Sequence, residues 1–347
     1  MEASSAHFVV LRGLEVHYLV RGELQKARGL GKQLLEMAQW EGDAALLVGA
    51  NHALGQSLYY LGELTAARTH VEQGMALYQP RTHHFPTWPG GHPGEQCFLY
   101  GAWILWLLGY PDQALQKSQE ALTLIQELSH PFSLASALDF TALLHQFRRE
   151  ARKARELSET AMAVCTEQRI TVYLEMGRII RGWALAAQGQ GEEGTAQMNQ
   201  GVAAFRATGA ALWCPNFLAM LAEAYGKEGR VEEGLEALDA AFGIVDKTQE
   251  RYYEAELHRL KGELFLQQSV SDALQAETCF QQALGIARDQ QAKSWELRGA
   301  LSLSRLWHAQ AKKEEARNLL SEIYGWFTEG FDSADLKDAK ALLEKLS

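Results

Sequence analysis

Three stretches of this chain carry residue types whose spacing invites a chemical reading. The first is YQPRTHHFPTWPGGHPGEQC, Tyr78 to Cys97, in which His83, His84, His92 and Cys97 are all metal-ligand types. Their spacing matches no standard zinc pattern, so no metal is assigned. The second is GQGEEG, Gly189 to Gly194, a formal match to the G-x-G-x-x-G phosphate fingerprint. That fingerprint works when a strand precedes it and the helix start faces a pyrophosphate. Here no strand pattern precedes it, and Glu192 and Glu193 would repel the anion. The third is the set of glutamate pairs at 192–193, 232–233 and 314–315, which could suggest acid–base chemistry. They recur at one place in a repeating unit, the start of its second helix, where carboxylates complement the helix dipole. GLGKQLL, Gly29 to Leu35, fails as a phosphate loop: the leading glycine is missing, and Gln33 stands where Ser or Thr should ligate magnesium. No Ser–His–acid arrangement and no HExxH motif occurs. The reading is a non-enzyme with no catalytic residue, no metal and no cofactor.

Composition narrows the classes further. The 347 residues carry a net charge of −10, which disfavours a phosphate backbone as partner. FRREARKAR, Phe147 to Arg155, is the densest basic run and reads as a solvated turn and helix start. The most apolar window, CFLYGAWILWLLGY, is 14 residues long and too short to span a bilayer. The first ten residues, MEASSAHFVV, lack the basic start and long apolar run of a signal peptide. Cys97, Cys165, Cys214 and Cys279 are far apart and fit a reducing compartment. The expectation is a cytoplasmic protein without nucleic-acid or membrane partners.

The elements that must position any site come from a repeat. GELQKAR begins at Gly22 and GELTAAR at Gly62, 40 residues later. A small residue five places on recurs as Ala27, Ala67, Ala114, Ala154, Gly194, Gly234 and Ala316, with Ala276 two places later still because SVSDALQ makes a longer turn. The steps are 40, 47, 40, 40, 40, 42 and 40. The glycine column reads Gly22, Gly62, Gly109, Arg149, Gly189, Gly229, Ser269 and Ala311. Seven places before it stand Glu15, Gly55, Ala102, Ala142, Gly182, Ala222, Gly262 and Ser304. Three places after those come large residues: Tyr18, Leu58, Leu105, His145, Leu185, Tyr225, Phe265 and Trp307. Two antiparallel helices per unit need small residues where they cross and large ones beside the crossing. The glycine ends the first helix by taking the left-handed conformation. Glu15 departs from its column in the first repeat, where no preceding repeat would press on it.

These columns, best seen in RGWALAAQGQGEEG and LAEAYGKEGRVEEG, resemble the tetratricopeptide repeat, with a period of 40 in place of 34. The longer unit is similar to that of the maltose-regulator-like group. The segments LWLLGYPDQAL, HPFSLASAL, YEAELHRLKGEL and YGWFTEGFDSADLKDAKALLEKL resemble the C-terminal helical region of bacterial predicted ATPases and adenylate/guanylate cyclases. The resemblance covers only the repeat region of those proteins, so their catalysis does not carry over. It implies an all-α fold: one right-handed superhelical solenoid over 1–347, of about eight helix-turn-helix repeats. A loop is inserted at 80–96 between the second and third repeats, and a capping helix at 333–347 has Ser333 as its N-cap.

In arrays of this type the first helix of each pair lines the concave face. That geometry places Tyr59, Tyr60, Trp103, Trp106, Trp183, Asn216, Glu223, Arg259, Glu263 and Arg305 at the inner surface. It also places Arg12, His52, Gln56, Asp139, Gln146 and Arg298 there. The tryptophans either face the groove or pack between helices, and the spacing does not separate the two. The insertion, with His83, His84, Trp88 and His92, is a candidate to lie over the groove and shape a binding site. The expected role is a protein-interaction scaffold or regulatory module binding a peptide or partner domain in its concave groove. Two alternatives stay open: a structural solenoid that self-assembles end to end as a homo-oligomer, and a small-ligand sensor module of a signalling ATPase or cyclase.

Overall fold

The computed structural model describes residues 2–80, 91–128, 130–269 and 272–347. Among them are seventeen helices and no strand. The first four pairs are α1 (Glu2–Val20) with α2 (Leu24–Glu41), α3 (Ala44–Tyr60) with α4 (Leu64–Leu77), α5 (Pro93–Leu107) with α6 (Pro111–Leu128), and α7 (Pro131–Phe147) with α8 (Ala151–Gln168). The next four are α9 (Thr171–Ala187) with α10 (Gly191–Ala207), α11 (Cys214–Lys227) with α12 (Val231–Thr248), α13 (Glu254–Gln268) with α14 (Ala273–Asp289), and α15 (Lys293–Ala309) with α16 (Lys313–Tyr324). A last helix, α17 (Ala334–Lys345), caps the array. Leu336, Ala339 and Leu342 are its buried face, and the Ser333 side chain stands at the N-cap without making a cap bond.

The column of glycines does what its chemistry predicts. Gly22, Gly62, Gly109, Gly189 and Gly229 all have positive φ, as do the two non-glycines Arg149 (62°) and Ala311 (62°). The next residue's N–H then bonds back to the carbonyl of the large-residue column: Glu63 to Leu58 at 3.0 Å, Gln190 to Leu185 at 2.9 Å, Lys312 to Trp307 at 2.9 Å. This is the six-to-one bond that closes a helix C-terminus. Ser269 differs: its φ is −160°, extended backbone in the longer turn.

The small columns set the approach of paired helices. Gly182 and Gly194 meet backbone to backbone, so that a Cβ on Gly194 would lie 2.5 Å from the Gly182 carbonyl oxygen. Glu15 is no loose end residue. It is fully buried, paired with Arg12, and accepts a 3.3 Å hydrogen bond from the Ser57 hydroxyl. The first repeat is pressed on by α3 and must satisfy that carboxylate internally.

First helices and second helices differ in how they are covered. Apolar residues surround α5 on all sides, and nearly all of it is buried, as expected of a helix enclosed by protein. Its partner α6 is amphipathic and faces outward. The first helices pack in a row, and the row coils until it meets itself. The Tyr60 carbonyl accepts from Arg251 N–H at 2.7 Å, and the Val20 carbonyl accepts from Ala211 N–H at 2.9 Å. The Trp106 carbonyl accepts from the Ser294 hydroxyl, and the Phe147 carbonyl from the Arg298 guanidinium. The C-termini of the first three first helices thus meet the chain five repeats further on: α1 with the start of α11, α3 with α13, α5 with α15. At the end of α7 the partner is α17, through Arg149 and Asp335.

Two stability changes follow. Ala311→Gly, at an exposed left-handed position, raises stability by about 0.5–1 kcal/mol in equilibrium urea unfolding. Gly194→Ala lowers it by roughly 2–3 kcal/mol, because the atoms it meets are backbone and cannot swing aside. A neutral Gly194→Ala would contradict the close crossing of α9 and α10.

Candidate functional site

The inner surface divides into a closed part and an open part. In the closed part, Tyr59, Tyr60, Trp103 and Trp106 are 0–3% exposed. They do not face a free groove. The second turn of the coil presses on them: Tyr59 lies 4.6 Å from the ring of Tyr252, and Trp106 lies 4.8 Å from Trp295. Trp103 stacks on Phe140 at 4.3 Å and donates its indole N–H to the Phe140 carbonyl at 2.9 Å. The interior expected to be free is, at these positions, an aromatic core along the axis. Trp213, Tyr252, Tyr253 and Trp295 supply its second half, and the sequence reading did not single them out. Their signal was present: Trp213, Tyr253 and Trp295 recur at repeat spacing at the start of three successive first helices.

Asn216 is fully buried, and neither atom of its amide has a hydrogen-bond partner. His92 lies at the N-cap of α5, with its ring 5.4 Å from Tyr78. His83, His84 and Trp88 lie outside the described residues. Near the N-terminal end, Arg12, Glu15 and His52 form a fully buried cluster, with Arg12 3.2 Å from the His52 Nδ1. Burial lowers Arg12 to about 10 and pushes His52 well below its ordinary range, so the imidazole is neutral.

The open part holds the charged half of the expected surface. Trp183, Glu223, Arg259 and Arg305 line one cavity of about 180 Å³, together with Gln146, Arg149, Lys227, Glu256, Arg298, Asp335 and Asp338. The column explains the change of character. Trp103, Leu143 and Trp183 give way in the same register to Glu223, Glu263 and Arg305, which cannot be packed dry. The wall is a network of charge-assisted bonds. The Trp183 indole N–H donates to Glu223 at 3.0 Å, and Lys227 donates to Glu223 at 2.8 Å. Burial acts to raise Glu223, but Lys227 and then Trp183 outweigh it and bring it to about 2, so it is ionised. Arg259 donates to both Glu256 oxygens at 2.8 Å, the bidentate geometry that favours arginine over lysine, and reaches Glu263 at 3.3 Å. Arg298 bridges Glu256 at 3.1 Å and Asp335 at 2.9 Å. The arrangement recognises charged and hydrogen-bonding groups. Among the described residues no group of His, Cys, Asp and Glu is placed to hold a metal ion, and no helix is long and apolar enough to cross a membrane.

No protein-family model matches the chain. An uncharacterized protein of Rhizobium meliloti (strain 1021) is 26% identical over 213 residues, which cover 61% of this chain and 21% of that protein. The match thus spans about a fifth of the relative's length. Among solved structures, a Rap protein complexed with Competence and Sporulation Factor superposes with a TM-score of 0.63 at 10% identity, covering 98% of both chains. The Cut9–Hcn1 hetero-tetramer of APC/C gives 0.56 at 13% identity, covering 94% of this chain and 53% of that one. Aspartyl phosphate phosphatase F from Bacillus subtilis gives 0.51 at 11% identity, covering 91% and 92%. At these identities the likeness is one of fold, and the fold is a tetratricopeptide-like helical-repeat superhelix.

The seam between turns contains one titratable group suited to a test. Glu250 is fully buried, accepts from the Trp213 backbone N–H at 3.0 Å, and leaves its second oxygen without a partner. Burial raises it from 4.5 to about 8. Between those values the folded chain holds a proton that the unfolded chain has released, so stability falls as pH rises through the window and levels off above it. Glu250→Gln keeps an acceptor for Trp213 and carries no charge. It should be more stable than wild type at pH 9, by at least about 1 kcal/mol, with the gap closing toward pH 5. An equal gap at both pH values would contradict the assignment.

Proposed function

We propose that this protein is a non-enzymatic interaction module that binds a peptide segment of a partner protein in the charged cavity. The observation that carries the reading is that Trp183, Glu223, Arg259 and Arg305, drawn from four successive first helices of the expected inner surface, converge on one cavity that stays open to solvent. A tryptophan and arginines beside fixed polar groups are residue types enriched in recognition surfaces. The likeness in fold to a Rap protein complexed with Competence and Sporulation Factor supports a binding role. The resemblance of the repeats to those of signalling ATPases and cyclases supports a regulatory setting.

A random peptide library displayed on phage, selected on the intact chain, tests this. Peptides should be enriched that lose binding at least about tenfold on Arg305→Glu and on Trp183→Phe, with helical content unchanged. Enriched peptides indifferent to both substitutions, or none above background, would overturn the proposal.

A further inference from the structure

We infer that the cavity is specific for a peptide segment carrying two carboxylates one helical turn apart, and that Asp335 and Asp338 of the chain's own capping helix occupy the place of that pair. The inference rests on the reading of the cavity as a peptide site and names its ligand class.

Three guanidinium groups converge on these two side chains. Arg149 donates to Asp335 at 3.1 Å and to Asp338 at 2.9 Å. Arg298 donates to Asp335 at 2.9 Å, and Arg305 reaches Asp338 at 3.4 Å. Arg298 also pairs with Glu256, so three guanidiniums meet three carboxylates, and each of Arg149 and Arg305 keeps N–H groups free while its side chain is about half exposed. Burial acts on Asp335 to raise it, but Arg298 and Arg149 outweigh this and hold it below its ordinary value, so Asp335 is ionised at neutral pH. Asp338 is 37% exposed, and its ion pairs are screened by water, so a competing carboxylate can take its place.

One observation independent of the charges points to a ligand. Gln146 lines the cavity and is 3% exposed, yet its amide oxygen has no hydrogen-bond partner. Buried polar atoms are rarely left unpaired, and a turn of the side chain toward the cavity would let this oxygen accept a peptide N–H. Arg149 occupies a glycine position of the repeat with a φ of 62°, a conformation disfavoured for a residue with a side chain. The side chain retained there reaches the two aspartates. Asp335 and Asp338 are three apart in the first turns of α17, which fixes the spacing the arginines match. Glu223 and Glu256 on the same wall disfavour a dense polyanion such as a nucleic acid or a phosphorylated segment, and favour carboxylates mixed with neutral or basic residues.

The test uses the full chain and a fluorescein-labelled, end-blocked peptide with the sequence of residues 333–339, its counterpart with both aspartates changed to asparagine, and inorganic phosphate as competitor. Asp335→Asn with Asp338→Asn should bind the acidic peptide about tenfold more tightly than wild type. Neither protein should bind the asparagine peptide. Adding Arg305→Ala should abolish the gain. Equal binding by wild type and double variant, equal binding of the two peptides, or displacement by phosphate at peptide-like concentrations would overturn the inference. If the double variant unfolds, Arg305→Ala alone decides the matter: it should weaken acidic-peptide binding at unchanged helicity, and unchanged binding overturns the inference. Library peptides that are basic or apolar but depend on Trp183 and Arg305 would sink this inference and leave the peptide-binding module standing.

Discussion

The structure depends on the seam at which the coil meets itself. A row of helix pairs is stable by nearest-neighbour packing alone, and its interior is then free. Here each of the first three first helices ends on a carbonyl or ring that meets the start of a first helix five repeats later. That contact turns an interior surface into a core. It makes repeats distant in sequence interdependent, so that a change at Trp295 is felt at Trp106. Truncation of a ring buried as these are costs about 3–5 kcal/mol in a packed interior, more than any single ion pair on the outer helices contributes.

The seam also carries its own opposing terms. Glu250 is buried with half its carboxylate unpaired, the indole N–H of Trp213 has no partner, and Asn216 has none for either amide atom. Each such atom costs about 1–3 kcal/mol relative to solvent. Aromatic burial opposes these penalties. Separation of the turns there would hydrate Glu250 and Asn216 while leaving the nearest-neighbour packing of each helix pair intact. That makes the seam a lower-cost opening than the crossings at Gly182 and Gly194, where backbone touches backbone.

How much of this was written locally in the chain can be judged residue by residue. The glycine and small-residue columns were legible because a left-handed turn and a close crossing each demand a residue type at one position. Gly62, Gly194 and Ala67 meet those demands within a single repeat. The inner-face assignment of Tyr59, Trp106 and Trp183 followed from the resemblance to tetratricopeptide arrays, whose first helices line the concave face. Whether that face is open did not follow. It depends on how far the row curls, which is the sum of small rotations over five repeats, and no single residue encodes it. Trp213, Tyr253 and Trp295 carried a partial signal, since aromatics at the start of three successive helices have no use in an open array. Glu15 misled for a related reason: its partner Arg12 is one turn away, but the burial that makes the pairing necessary comes from α3.

Arg149 joins the local and the global levels. By the local rule it is an error in the glycine column, and its left-handed backbone disfavours it by about 1 kcal/mol. By the global geometry it is the residue at the end of the fourth first helix, where the seam passes from aromatic packing to charge. A glycine there would turn the chain equally well and leave Asp335 and Asp338 with only Arg298 and Arg305. The side chain closes the last contact between turns and stands at the rim of the open cavity. A break in a structural repeat is thus read best by asking what lies opposite it one superhelical turn away, and in this chain what lies opposite is the capping helix.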